Sequence, residues 1–89
     1  MEVKNIKNMT NFKIFFLKIK NYDIFFSRIK VIDNVYEGRW NVILKSGQLI
    51  KLGNYNLDKQ VKYINFLLNN KAATIIDLRY EGRAIVINE

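Results

Sequence analysis

The chain has 89 residues, 49% of them apolar, and fifteen Lys/Arg against eight Asp/Glu give it a formal charge of +7, which suits one small globular domain (1–89) with a single modest core. It contains neither cysteine nor histidine, so disulfides, thiolate chemistry, the commonest general base and the commonest metal ligand are all excluded. No stretch approaches the roughly 20 consecutive apolar residues of a membrane span, since the best candidate, 12–26, is broken by Lys13, Lys18, Lys20 and Asp23, and no export signal follows Met1.

The positive charge is uneven. Residues 1–30 hold seven cations against Glu2 and Asp23, a net +5, whereas residues 31–89 hold eight against six, a net +2. Such an excess suits a nucleic-acid or anionic-membrane partner. A compositional explanation competes with it: Ile, Asn and Lys fill 36 of the 89 positions, and their codons are rich in A and T.

Taken in chain order, 9–21 is the first predicted helix, with Phe12, Phe15, Phe16 and Ile19 on one face and Thr10 or Asn11 as its cap. That face either covers one side of a sheet or, given the lysines between, lies on an anionic membrane. Arg28 to Tyr36 is rich in β-branched residues and reads as a strand. Trp40, Val42 and Leu44 then alternate with Asn41, Ile43 and Lys45, a period of two that turns one set of side chains inward. Gln48 to Leu52 forms the next strand. The pairs Glu37-Gly38, Ser46-Gly47 and Glu81-Gly82 lie between such runs, where glycine permits the positive φ of a tight hairpin turn.

From Asn56 the period changes. Leu57, Val61, Ile64 and Leu68 recur at helical spacing, Asn56 caps and Asp58 suits the positive end of the dipole, which predicts a helix over 56–70. Ile76, Leu78 and Tyr80 alternate with Ile75, Asp77 and Arg79, and the Glu81-Gly82 turn leads to a last strand over 83–88. The expected fold is α+β: an antiparallel sheet, made of a three-stranded meander plus a C-terminal hairpin, with two helices on one face.

Nothing in this pattern builds a reaction centre. Asp77 has only Glu81 and Glu89 near it in sequence, not the paired carboxylates of a hydrolase, and pairing with a nearby Lys or Arg is its expected role. The triplet Asn8-Met9-Thr10 is formally a glycosylation sequon, a chance match in so asparagine-rich a chain.

The run from Gly38-Arg39-Trp40 through Ser46-Gly47 to Leu52-Gly53, then Leu57-Asp58-Lys59-Gln60-Val61, then Ile76-Asp77-Leu78-Arg79-Tyr80 resembles the C-terminal part of the bacterial cell-division protein family FtsQ/DivIB. In that family an Arg-Trp pair opens a strand, a hairpin follows, Leu-Gly leads into a helix, and Val-Asp-Leu-Arg-Tyr marks a later strand. The resemblance is specific over 38–89 and compatible over 1–37. It implies the later part of the family's β domain, without the membrane helix and POTRA domain that precede it in full-length members.

Several roles are implied by the resemblance alone. The family is a non-enzymatic scaffold of septum assembly at the bacterial inner membrane, on its periplasmic side. It binds the small partners FtsB and FtsL, and FtsB adds an extended segment beside the last strand. Arg79 and Tyr80 then become partner contacts, the first as a cation for an acidic residue and the second as an aromatic anchor, with Gly82, Arg83, Ala84, Ile85 and Val86 along the paired edge. Arg39 stands where basic residues of the family help bind an acidic partner. No cofactor is implied. Tyr80 as core aromatic, Arg79 as solvated strand residue and Ala84 to Val86 as ordinary sheet residues are the competing structural readings, and Trp40 is expected in the core. The alternatives at the level of function are a small basic nucleic-acid-binding protein and the remnant of a decayed division gene.

Overall fold

The computed structural model describes residues 1–68 and 73–88. Its elements are β1 (Glu2–Lys4), α1 (Met9–Lys20), α2 (Asp23–Ser27), β2 (Ile29–Tyr36), β3 (Arg39–Leu44), β4 (Leu49–Leu52), α3 (Leu57–Leu67), β5 (Ala73–Leu78) and β6 (Ile85–Asn88). The six strands form one sheet in sequence order, β1-β2-β3-β4-β5-β6.

The meander β2-β3-β4 and the hairpin β5-β6 are antiparallel as expected. The sheet as a whole is not. β4 and β5 run parallel, and so do β1 and β2, because a helix inserted between neighbouring strands returns the chain to the end from which it left. The helix between β4 and β5 was expected, and its presence already requires that parallel pair. β1 and α2 were not anticipated. β1 has three exposed residues with no apolar alternation, and α2 is a five-residue helix with no side-chain cap, so neither carries a strong local signal.

Helix α1 is capped by Asn8, whose side chain accepts from the backbone N–H of Asn11 at 3.0 Å, and not by Thr10 or Asn11. At α3 the cap is Asn56, accepting from the backbone N–H of Lys59 at 3.1 Å. The predicted end of this helix at residue 70 lies outside the described residues.

Ile32, Val42, Ile50 and Ile76 stand in cross-strand register and are buried together with Phe15, Ile19, Phe25, Val61 and Ile64 of the helices. The core is therefore one layer between this sheet face and three helices, not two. A bulge between Ile29 and Val31 lets Ile29 and Ile32 share the core face. Trp40 is buried at the edge of the core, stacked on Phe15 with ring centroids 4.2 Å apart and planes 6° from parallel.

The other sheet face carries Val31, Ile43, Leu49, Ile75 and Ile87 in one rank. None of them belongs to the core cluster.

Candidate functional site

Leu52 and Leu78 are paired at the ends of parallel strands β4 and β5, which brings the segments just beyond them, Gly53 and Arg79, side by side. A Cβ on Gly53 would collide with the backbone carbonyl of Arg79, so only glycine permits this approach. Buried Gln60 of α3 fixes the same point, accepting from Gly53 N–H at 2.9 Å and donating to the carbonyls of Gly53 and Tyr55 at 3.0 and 3.1 Å. The Leu52-Gly53 junction thus positions the start of the candidate site.

Strand β5 ends at Leu78, so Tyr80 is not the strand residue its alternation suggests. It stands 48% exposed, outside the core. Arg79 folds back on Asp77: its Nε lies 2.9 and 3.1 Å from the two carboxylate oxygens, its Nη2 donates at 2.8 Å and its backbone N–H at 3.1 Å. Burial alone would raise the Asp77 carboxyl, but the side-chain and backbone hydrogen bonds from Arg79, with the charges of Arg79 and Lys51, hold it below the usual carboxylate range. The expected structural pairing of Asp77 is this one. The same bonds raise the Arg79 guanidinium above its usual value, against a smaller lowering by burial.

Anchored in this way, the Arg79 guanidinium lies 5.5 Å from the centroid of the Tyr80 ring. Arg39, at the start of β3, lies 5.7 Å from the same centroid. Both distances are within cation–π range. The structure thus joins Arg39, Arg79 and Tyr80, three residues singled out in the sequence, into one cluster. Buried Asn34 helps hold the β2-β3 turn beside it, donating to the carbonyls of Tyr36 and Arg39 at 2.6 and 3.0 Å.

The cluster borders a shallow hollow, lined by Val35, Tyr36, Arg39, Asn41, Lys51 and Arg79, on the sheet face opposite the described helices. Lys51 pairs in register with Asn41 on one side and Asp77 on the other. Among the described residues neither Arg39 nor Lys51 is in an ion pair, so the hollow offers cationic groups to an incoming carboxylate. Sequence reasoning missed Lys51 and Tyr36, whose proximity follows from cross-strand register and the β2-β3 turn.

The remaining singled-out residues lie elsewhere. Gly82, with φ +75°, makes the turn that the backbone N–H of Arg83 closes onto the carbonyl of Tyr80 at 3.2 Å. Gly82, Arg83 and Ala84 are exposed and line a second hollow against α3, where Tyr63 and Phe66 are presented. Phe66 is 81% exposed. Its position off the Val61/Ile64/Leu68 stripe is the signal that could have identified it.

Ile85 and Val86 belong to β6, which pairs with β5 on one side and with nothing on the other among the described residues. The Thr74 hydroxyl of β5 donates to the carbonyl of Ile87 at 3.1 Å, which turns the backbone groups of Ile87 toward β5. In an antiparallel pair a residue's N–H and C=O point the same way and alternate along the strand. Ile85 therefore faces β5, and Val86 and Asn88 direct their backbone groups outward. The Val86 side chain packs against the core.

Among the described residues no group of three or more Asp or Glu gathers to hold a metal, and no helix is long and apolar enough to cross a membrane.

No curated protein matches the chain. A family model does, described as cell division protein FtsQ/DivIB, C-terminal, and it matches residues 7–79. The match begins far earlier than the motif-bearing run at residue 38, taking in α1, α2 and β2. It includes Arg39 and Arg79 and stops one residue before Tyr80. Covering most of the chain, from the first helix to the end of the Asp-Leu-Arg signature, this match shows that the chain belongs to the C-terminal family of the cell-division protein FtsQ/DivIB.

Proposed function

We propose that the chain is a non-catalytic interaction module of the septum-assembly machinery that takes up an extended segment of an FtsB/FtsL-like partner as a further strand beside β6. The observation that carries this reading is the edge of β6 that no described strand covers, where, by alternation from Ile87, the backbone groups of Val86 and Asn88 point outward and can bond to another strand. Backbone pairing alone selects no partner. Specificity comes from Tyr80 as an aromatic anchor within cation–π distance of two guanidiniums, and from Arg39 and Lys51 as receptors for an acidic side chain. Gly82, Arg83 and Ala84, at the entry to β6, leave room for the partner between the turn and α3. By family, the setting is the periplasmic side of the bacterial inner membrane.

Calorimetric titration of the chain with a peptide from an FtsB-like partner tests the reading. Saturable binding that weakens little between low and moderate salt is expected. Binding of single-stranded nucleic acid that collapses over the same salt range, with no uptake of the peptide, would replace it with the nucleic-acid alternative.

A further inference from the structure

We propose that the outer surface of α1 docks on an anionic lipid bilayer. The phenylalanine face of this helix is already occupied: Phe15 and Ile19 are buried in the core, and Phe12 and Phe16 pack against it. The membrane role considered for that face in the sequence therefore falls away. The opposite surface is the one that stands free. There Leu17 is 63% exposed and Ile14, one turn before it, 53%.

The charges are arranged around these apolar side chains. At 3.6 residues per turn, Ile14 and Leu17 form the ridge of α1 opposite Phe15 and Ile19, Lys13 and Lys20 fall on one shoulder of that ridge, and Lys18 falls on the other. All three lysines are exposed. The helix contains no acidic residue, and among the described residues none of its lysines is in an ion pair.

This chemistry fits lipid better than protein. Protein interfaces are enriched in aromatics and arginine and depleted in lysine, whereas α1 turns its aromatics inward and presents only lysine. Ile14 and Lys18 also border an open hollow beside the helix, but the ridge of Ile14 and Leu17 itself projects from the helix surface, Leu17 being the more exposed of the two. It can enter the headgroup region of a flat bilayer while long lysine stems on both shoulders reach back to the phosphates. Two aliphatic side chains bind weakly alone, so the affinity depends on negative lipid. The inference is independent of the role proposed for β6, which lies at the far edge of the sheet from β1 and β2.

Co-sedimentation of the chain with vesicles of phosphatidylglycerol and phosphatidylethanolamine, beside vesicles of phosphatidylcholine alone, tests the proposal. Binding to the first and not to the second is expected. Each of Lys13→Gln, Lys18→Gln and Lys20→Gln should reduce it about fivefold, and Leu17→Gln about tenfold or more. The melting temperature should not move, because every substituted side chain is exposed. Failure of the parent chain to sediment with anionic vesicles overturns the proposal. So does a loss in the lysine variants with full binding by both Leu17→Gln and Ile14→Gln, which would mark a surface for polyanions and not for a bilayer.

Discussion

Gly53 and Arg79 lie backbone against backbone, close enough that the smallest side chain on the glycine would overlap the arginine's carbonyl. The relationship ties a turn before α3 to the first residue beyond β5, and through Arg79 to Asp77 and Tyr80. Gly53→Ala should therefore push the 79–80 segment away from β4, lowering the melting temperature by several degrees, in the range of roughly 1–3 kcal/mol for overpacking. It should also weaken peptide binding in proportion to the displacement of Tyr80. Retention of both stability and affinity in Gly53→Ala would show that the segment is not held at this contact.

Val61 is fully buried on α3, in the cluster that joins this helix to the sheet. Val61→Asp places a carboxylate there without a partner and should cost several kcal/mol, enough to leave much of so small a domain unfolded. Loss of the cooperative thermal transition is the expected readout. A melting temperature within a degree or two of the parent would mean that the helix does not pack on this stripe.

Asp77 gives a pH dependence with a definite sign. Its carboxyl titrates lower in the folded chain than in the unfolded one, so its contribution to stability is complete above the ordinary aspartate value and is lost as the pH falls through the lowered folded value. Acid unfolding of the parent should steepen in that window, below about pH 4. Asp77→Asn should remove this part of the slope, and it should also free Arg79 to leave the Tyr80 ring. Parallel acid-unfolding curves for parent and variant would rule out a stabilising role for the Asp77–Arg79 pair.

The features legible in the sequence are those with local causes. The change of period at Asn56 located α3 because its cap and its apolar stripe are both written within a few residues, and the turns at Gly38, Gly47 and Gly82 all adopt the positive φ that their position between β-prone runs suggested. The parallel pairings were not read, since strand direction depends on where a crossover helix returns the chain. Tyr80 continued the alternation of Ile76 and Leu78 and so resembled a strand residue, yet the strand stops where Gly53 crowds the backbone of Arg79. Arg39 and Tyr80 are forty-one positions apart. Only the sheet order, which sets β3 one strand away from β5's neighbour β4, brings them to the same ring.

Strand addition at β6 distinguishes neighbouring residues by the direction of their N–H groups. Ile85 faces β5, so Ile85→Pro removes a donor from the side of the sheet's own ladder and should lower the melting temperature. By alternation from Ile87, whose carbonyl meets Thr74 of β5, the Val86 N–H points away from β5, so Val86→Pro should spare the β5-β6 ladder and weaken uptake of the partner peptide more than Ile85→Pro does relative to its effect on stability. Thermal melts and titrations of both variants check this. A Val86→Pro chain that folds and binds the peptide as the parent does would place the partner away from this edge.

Tyr80→Ala asks where the side-chain contribution to binding lies. The ring is half exposed, outside the core cluster, and flanked by the guanidiniums of Arg39 and Arg79, so its removal leaves no cavity and should change the melting temperature little. In a complex the same ring would be covered by the partner, and truncation of a buried aromatic anchor typically costs about 2 kcal/mol or more, roughly a thirtyfold loss of affinity. Part of that loss would come through Arg39, which, unlike the Asp77-anchored Arg79, would lose the aromatic face beside it. Arg39→Ala should then cost less in the Tyr80→Ala background than in the parent, because the two residues act through one contact. Calorimetric titration of the four chains against the partner peptide measures this coupling. Strictly additive losses would show that Arg39 meets the partner independently of Tyr80, and an unchanged affinity in Tyr80→Ala would remove this cluster from the binding site altogether.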